Sequence, residues 1–343
     1  MKTAIVLFNL GGPDAPAAIA PFLFNLFHDP AIISLPQPLR WMIARLISSR
    51  RAPVAEGIYA HMGGKSPIVP ETEAQARTIE AALAGEDGDY RAFIAMRYWH
   101  PFAAEAARAV KAWGAERIVL LPLYPQFSTT TTASSLADWR KAARGVGLTA
   151  PTTAVGCYFD QADFIAAHVE MIRERLTGLD NTRILFSAHG LPEKIVRKGD
   201  PYPWQVERTV AAVMAGLGEG IDHVICYQSR VGPMAWIGPS TDAEVARAGR
   251  DGRAVLLVPI AFVSEHSETL VELDIEYRKL AEEAGVAAYH RLPALGIRPA
   301  FIRGLAGLVR RAGQLPDGAV MPGASHQCPP DFRRCICRGA QNA

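Results

Sequence analysis

The sequence predicts an α/β protein built as two similar halves, each a parallel sheet covered by helices on both faces. Three observations carry this. Short apolar runs alternate with longer amphipathic stretches along the chain, the pattern of parallel strands joined by crossover helices. Landmarks recur: Leu7–Pro13 parallels Leu185–Leu191, and Leu120–Leu123 parallels Leu257–Ile260. Two apolar runs also end in reactive residues, one in His189 and the other in Ser264-Glu265-His266-Ser267-Glu268. Open α/β sheets bind ligands outside the carboxyl ends of their strands.

Taken in order, the expected strands are Thr3–Asn9, Tyr90–Met96, Arg117–Leu123, Thr152–Gly156, Arg183–Ser187, His223–Tyr227, Val255–Ala261 and Ala287–His290. Amphipathic helices such as Glu71–Ala84, Phe102–Trp113, Asp163–Leu176 and Pro203–Leu217 lie between them. The domain reading is residues 1–150, residues 151–310, and a cysteine-bearing extension over 311–343.

Bulk composition excludes several classes. The chain has 343 residues, 49% of them hydrophobic and 20% charged, enough for a substantial core and too apolar for disorder. A net charge of +2 without a basic tract argues against a nucleic-acid partner. Apolar stretches long enough to span a bilayer are missing. Lys2, the apolar Ala4–Leu10 and Ala15-Pro16-Ala17 mimic a signal peptide, but Asn9 interrupts the apolar run and Gly11-Gly12-Pro13 reads as a strand-ending turn. The expectation is therefore a first strand and a cytoplasmic protein.

The first half is about forty residues longer than the second by the paired landmarks, and the insertion is placed at about 21–66. It holds Phe22, Phe24, Ile33, Trp41, Met42 and Ile47. The bland reading is two core helices. The functional one is an apolar lip over a cleft, able to grip a flat ligand or touch a bilayer surface.

Glu265, Glu268, Glu272 and Glu276, spaced by three, four and four, are expected on one helical face. Such a stripe is usually solvated surface. Here it starts at a strand tip beside His266, where like charges call for a cation or protons. His189 alone reads as a structural histidine as readily as a functional one. Paired with Glu268 it offers one imidazole nitrogen and one carboxylate, a set suited to transient Fe(II). Nucleotide motifs fail: Gly63-Gly64-Lys65-Ser66 has Tyr59 where a phosphate loop needs glycine.

Cys328, Cys335 and Cys337 crowd the end of the chain and suggest an iron–sulfur or zinc centre, with inert thiols as the bland reading. A fourth ligand must come from elsewhere. Cys226 sits inside an apolar strand and His326 is a third option; Cys157, expected in a turn after its strand, is preferred.

Together these residues resemble the ferrochelatases. The specific pieces are Leu185–Pro192, Lys198–Pro203, Tyr227–Pro239 and Glu268–Asp274, and the resemblance runs over nearly the whole chain. It implies two Rossmann-like, chelatase-type domains with a porphyrin cleft between them, and insertion of Fe(II) into protoporphyrin IX as the last step of haem synthesis. It implies His189, Glu268 and His266 as catalytic residues, with His189, Glu268, Glu272 and Glu265 meeting the metal. Porphyrin contacts carry over to Ile33, Arg51, Tyr59, Ser66, Arg97 and Trp236, with the propionates on Arg51, Tyr59 and Ser66. Some relatives hold a 2Fe–2S cluster, but Thr129 stands where the animal enzymes have their upstream cysteine. A cluster here would use Cys157 with Cys328, Cys335 and Cys337. Coproporphyrin is the competing substrate, and a non-catalytic porphyrin or haem carrier the competing class. The expected location is the cytoplasm, with a peripheral contact on the inner face of the membrane through the lip.

Overall fold

The computed structural model describes residues 1–86, 88–230 and 234–339, so residues 231–233 of the Tyr227–Pro239 motif lie outside the described residues. The described chain forms strands β1 (Lys2–Asn9), β2 (Asp89–Met96), β3 (Arg117–Pro122), β4 (Thr152–Cys157), β5 (Thr182–His189), β6 (His223–Gln228), β7 (Ala254–Pro259), β8 (Tyr289–Arg291) and β9 (Val320–Pro322). Two compact units divide it. One comprises Met1–Tyr124, Ser128–Val155 and Val309–Val320; the other comprises Pro125–Phe127, Gly156–Leu308 and the chain from Met321 on.

The strand order of the first sheet is β2-β1-β3-β4-β9 and that of the second is β6-β5-β7-β8. The first four strands of each half therefore follow the same plan, as the sequence repeats anticipated. Pairing is parallel at β1 with β2 and β3, and at β5 with β6 and β7. Ala4 to Phe8 and Ile184 to Phe186 are almost completely buried. A parallel strand covered on both faces must be apolar on both, hence the continuous runs.

In the first unit lie helices α1 (Ile19–Phe27), α2 (Leu39–Ala60), α3 (Ile68–Leu83), α4 (Ala103–Trp113) and α5 (Thr132–Val146). The second has α6 (Ala162–Leu176), α7 (Glu193–Val196), α8 (Tyr202–Leu217), α9 (Thr241–Arg250) and α10 (Tyr277–Glu283), and α11 (Pro299–Gly313) follows. The expected insertion is the pair α1 and α2. Ile19, Phe22 and Leu23 of α1 pack with Ala52 and Tyr59 of α2 and with Tyr98 in one buried cluster. Elsewhere α2 leaves Leu39, Met42, Leu46 and Val54 exposed, and Trp41, whose ring meets Phe24 of α1 edge-on, is also half exposed. Part of the pair is therefore core, as the bland reading has it, while other apolar residues of α2 are uncovered.

Three expectations need correction. Cys157 is not in a turn beyond its strand but is the last residue of β4, and it is 2% exposed. Glu265 does not share a helix with the other acids, because the helix begins at Glu268. The segment after 310 does not stand apart: β9 joins the first sheet. This three-residue strand is too short to give a periodic signal.

Candidate active site and cysteine centre

His189 closes β5, with Gln228 as its partner at the end of β6. Its Nδ1 lies 2.6 Å from the Gly190 carbonyl oxygen. A carbonyl only accepts, so Nδ1 carries the proton and the lone pair of a neutral ring sits on Nε2. That Nε2 is 3.6 Å from Glu268 Oε1. The next residue must be small: a Cβ on Gly190 would fall 2.8 Å from the Gln228 carbonyl and 3.2 Å from the Trp236 ring. Glycine thus lets the Trp236 indole close beside the strand tip.

Glu268 opens a π-helix, Glu268–Glu276. Such i→i+5 segments are rare and occur frequently at functional sites. Its first amide donates to Nδ1 of His266 at 3.1 Å, and burial holds the His266 pKa below the ordinary histidine value. One turn on, Glu272 is the most heavily bonded acid. It accepts from the Ser229 amide at 2.9 Å, the Ser229 hydroxyl at 2.5 Å, and Gln228 and Tyr277 at 3.3 Å each. Ser229 reaches it with a left-handed backbone, φ 59°, a conformation costly for a residue other than glycine. Burial, reinforced by the neighbouring Glu268 charge, pushes the Glu272 pKa up to about 7.

Glu265 is neutralised differently. Arg291 donates to both its oxygens at 2.9 and 3.2 Å, and the Ala294 amide adds a third bond. Arg291 is itself shared with Asp274 at 2.7 Å. Glu276, at the far end of the π-helix, faces solvent. The expected stripe therefore resolves into a tied acid, a pair centred on Glu268 and Glu272, and a solvated one. Among the described residues, no group of three or more His, Cys, Asp or Glu is arranged as a metal-ion site.

In the first unit, Asp29 organises the segment around Ile33. Its backbone carbonyl accepts from the Ile32 and Ile33 amides, and its side chain from the Ala31 amide. The buried carboxylate also meets Tyr98 at 2.8 Å, Ser134 at 2.5 Å and Arg97 at 2.9 Å. Arg97 donates in addition to Ser134 at 2.7 Å. The guanidinium proposed from resemblance as a porphyrin contact is thus tied into the protein on two of its nitrogens. Tyr59 is 6% exposed within the α1–α2 cluster, and Ser66 is equally buried. Gly12 must be glycine here, since a Cβ would lie 2.6 Å from the Ser66 side chain. Arg51 is exposed, its guanidinium 6.0 Å from the Phe27 ring.

The second unit also gathers cysteines. Cys157 Sγ lies 3.4 Å from Cys337 Sγ, and all of Cys157, Cys328, Cys335 and Cys337 are buried. Cys335 is the hub: thiols of Cys157, Cys328 and Cys337 donate to it and hold it below the ordinary thiol pKa. Cys157 is correspondingly raised by its bonds to Cys335 and Cys337. Cys226 is elsewhere, in the core cluster with Leu185, Val245 and Leu257, its thiol 3.7 Å from the Phe186 carbonyl. His326 pairs instead with Asp160. Gln205, which the sequence did not mark, donates to Cys328 Sγ at 3.1 Å. Ser229, Tyr277 and Arg291 were missed in the same way. Each acts through a neighbour brought in by the fold, although Ser229 does follow a strand tip within a quoted motif.

Comparison with known proteins gives a consistent result. The ferrochelatase family profile matches residues 2–313. The chain is 55% identical to a ferrochelatase of Caulobacter vibrioides over 100% of this chain and 99% of the relative. It is 53% identical to one of Phenylobacterium zucineum over the full length of both. Among solved structures, it is similar in fold to SirB from Bacillus subtilis, with TM-score 0.56 and 14% identity over 92% of this chain and 96% of that one.

The raised Glu272 pKa has a stability consequence. A carboxyl whose pKa rises on folding contributes stability that is complete below the unfolded value, 4.5, and lost as pH rises through about 7. Glu272→Gln removes that dependence. Urea unfolding of the variant, compared with the parent, is expected to improve by about 1–3 kcal/mol between pH 4.5 and 7 and then level off. A difference independent of pH over that window would show that Glu272 is not held protonated.

Proposed function

As a member of the ferrochelatase family, the chain is a metal chelatase that inserts iron into a porphyrin, and we propose that His189 and Glu268 carry this reaction on protoporphyrin IX. The observation that carries the assignment is the pair itself: an imidazole with its lone pair on Nε2, facing a carboxylate at 3.6 Å. Iron can enter the ring only as water leaves the ion and two pyrrole protons leave the nitrogens. His189 Nε2 is the acceptor for a pyrrole proton, and the imidazolium so formed is stabilised by Glu268. Glu272, poised near neutrality, is the next group able to hold a proton. Such tuning by burial and like charge is the signature of a group that exchanges protons at working pH.

His266, kept neutral by burial, positions Glu268 through the Glu268 amide. Fe(II) is the second substrate, and Glu268 and Glu272 are the oxygen donors proposed to take it from water; Glu265, committed to Arg291, sets the local charge. Ile33 and Trp236 are proposed as apolar porphyrin contacts, and Arg51, Tyr59 and Ser66 as propionate partners. Arg97 belongs to the same proposed set as a shaped wall, since Asp29 and Ser134 already hold two of its three nitrogens. A simple carrier has no use for a buried acid with a pKa near 7, which favours the enzyme.

The four gathered cysteines are proposed to hold a 2Fe–2S cluster. Four buried sulfurs converging on Cys335 match the ligand number such a cluster needs. Tetrahedral thiolate ligation at about 2.3 Å places sulfurs roughly 3.7 Å apart, so the 3.4 Å between Cys157 and Cys337 needs little adjustment. When bound, the cluster would supply a one-electron centre and a cross-link between the chain's end and β4. The exposed residues of α2 are proposed to rest on the inner face of the cytoplasmic membrane. Among the described residues no helix is long and apolar enough to cross one.

Three measurements test these readings. In anaerobic insertion assays run side by side, protoporphyrin should turn over faster than coproporphyrin. His189→Ala and Glu268→Gln should each lose at least about a hundredfold, the scale of one acid–base group, while Glu276→Gln loses little; near-normal turnover by His189→Ala would sink the assignment. For the cysteines, Cys157→Ser should lose the visible absorbance of the purified protein and Cys226→Ser keep it. Zinc in place of iron by metal analysis would replace the cluster by a zinc site. On anionic vesicles, Trp41→Ser with Leu46→Ser should sediment less than the parent at unchanged circular dichroism. Leu46 is chosen over Ile47 because it is 49% exposed, and equal sedimentation would remove the membrane contact.

A further inference from the structure

Gln205 stands in the second unit with no part in the insertion chemistry. Its side chain is completely buried in the first turns of α8. Its Oε1 accepts from the Phe127 amide at 2.7 Å. A backbone N–H can only donate, so this bond fixes which end of the amide is oxygen. The Nε2 end then points at Cys328 Sγ, 3.1 Å away, as a donor. Beside it, the Thr209 hydroxyl shares its one proton between the main-chain carbonyls of Phe159 at 2.7 Å and Gln205 at 3.0 Å, and accepts from Gln126 Nε2 at 3.0 Å. Gln126 and Phe127 are themselves almost inaccessible to solvent.

We propose that Gln205 sets the reduction potential of the cysteine centre through its N–H···S bond to Cys328. The inference rests on the reading of that centre as a 2Fe–2S cluster. Reduction adds one negative charge to the cluster, taken from an external one-electron donor, and makes or breaks no covalent bond. A fixed N–H dipole on a ligand sulfur stabilises the more negative state more, so it raises the potential. Inside a dry core the bond is not replaced by water when the side chain is removed.

The test is a redox titration of the full-length, cluster-loaded protein, followed by the electron paramagnetic resonance signal of the reduced cluster with dithionite as reductant. Gln205→Leu should make the cluster harder to reduce. At a fixed potential, the reduced-to-oxidised ratio should fall about threefold to tenfold, the range one net hydrogen bond supports, where tenfold is about 59 mV for one electron. Gln126→Leu, which disturbs the same packed network without touching a sulfur, should leave the ratio unchanged. Gln205→Asn draws the amide back by one methylene and should shift the ratio in the same direction as leucine. It also serves as the reading if the leucine variant fails to fold. A ratio equal to the parent's in the folded Gln205 variants, or an equal shift in Gln126→Leu, overturns the role of Gln205. Absence of any cluster signal from the anaerobically prepared parent overturns the cluster reading instead, so the two failures are told apart.

Discussion

Burial of the central strands on both faces is the constraint from which the rest follows. β1 and β5 each lie between two parallel neighbours, and their side chains meet packed helices above and below. Along such a strand an unpaired polar group costs more than the fold can spare. Polar function is thereby driven to the carboxyl tips, where the backbone leaves the sheet. His189 is the last residue of β5, and Gln228 and Ser229 end and follow β6. The acidic loop and π-helix come after β7. Two neighbouring strand tips and the segment that follows a third therefore bring together the imidazole, the hydrogen-bond donors and the acids.

At those tips charge is managed by distribution. Four glutamates within a short segment would repel one another if all were ionised and dry. Each has a different solution: Glu265 is paired with Arg291, Glu268 faces His189, Glu272 takes up a proton near neutrality, and Glu276 is left to water. The result is a graded set rather than a uniform stripe, with the acid whose pKa is raised beside the His189–Glu268 pair. The left-handed backbone of Ser229 is part of this arrangement, since in that conformation its amide and hydroxyl both reach Glu272.

Much of this was legible in the sequence because it depends on local pattern. The expected strands appear within a few residues of their observed limits, since a buried parallel strand leaves a short continuous apolar run, bounded here by turn residues. His189 was legible as a strand-tip residue, whereas Glu268 lies beyond its strand, at the start of the helix that follows β7. What was not legible depends on distance in sequence. Arg291 reaches Glu265 from β8, and Gln205 reaches Cys328 across much of the second half; nothing near either residue marks its partner. The choice of Cys157 over Cys226 rested on an expected exposure that β4 does not provide. The sulfur is buried, and the end of the chain comes to meet it. A helix carrying Glu268, Glu272 and Glu276 was foreseen, but its start was placed too early, at Glu265, and its π form was not foreseen.

The pair α1 and α2 lies in the connection between β1 and β2, whose counterpart joins β5 to β6. The longer connection has a little more than twice the residues of the shorter. Closing a flexible loop costs free energy only with the logarithm of its length, so this difference amounts to about 0.8 kcal/mol. The cost is spread thinner still by the buried contacts that α1 and α2 make with each other. A sheet of this plan can thus accept a whole helical hairpin next to its central strand at almost no thermodynamic penalty. Two halves with one topology are free to diverge in their connections while their strands stay under the same packing rule. One half acquires two further helices in this way and the other keeps its short connection.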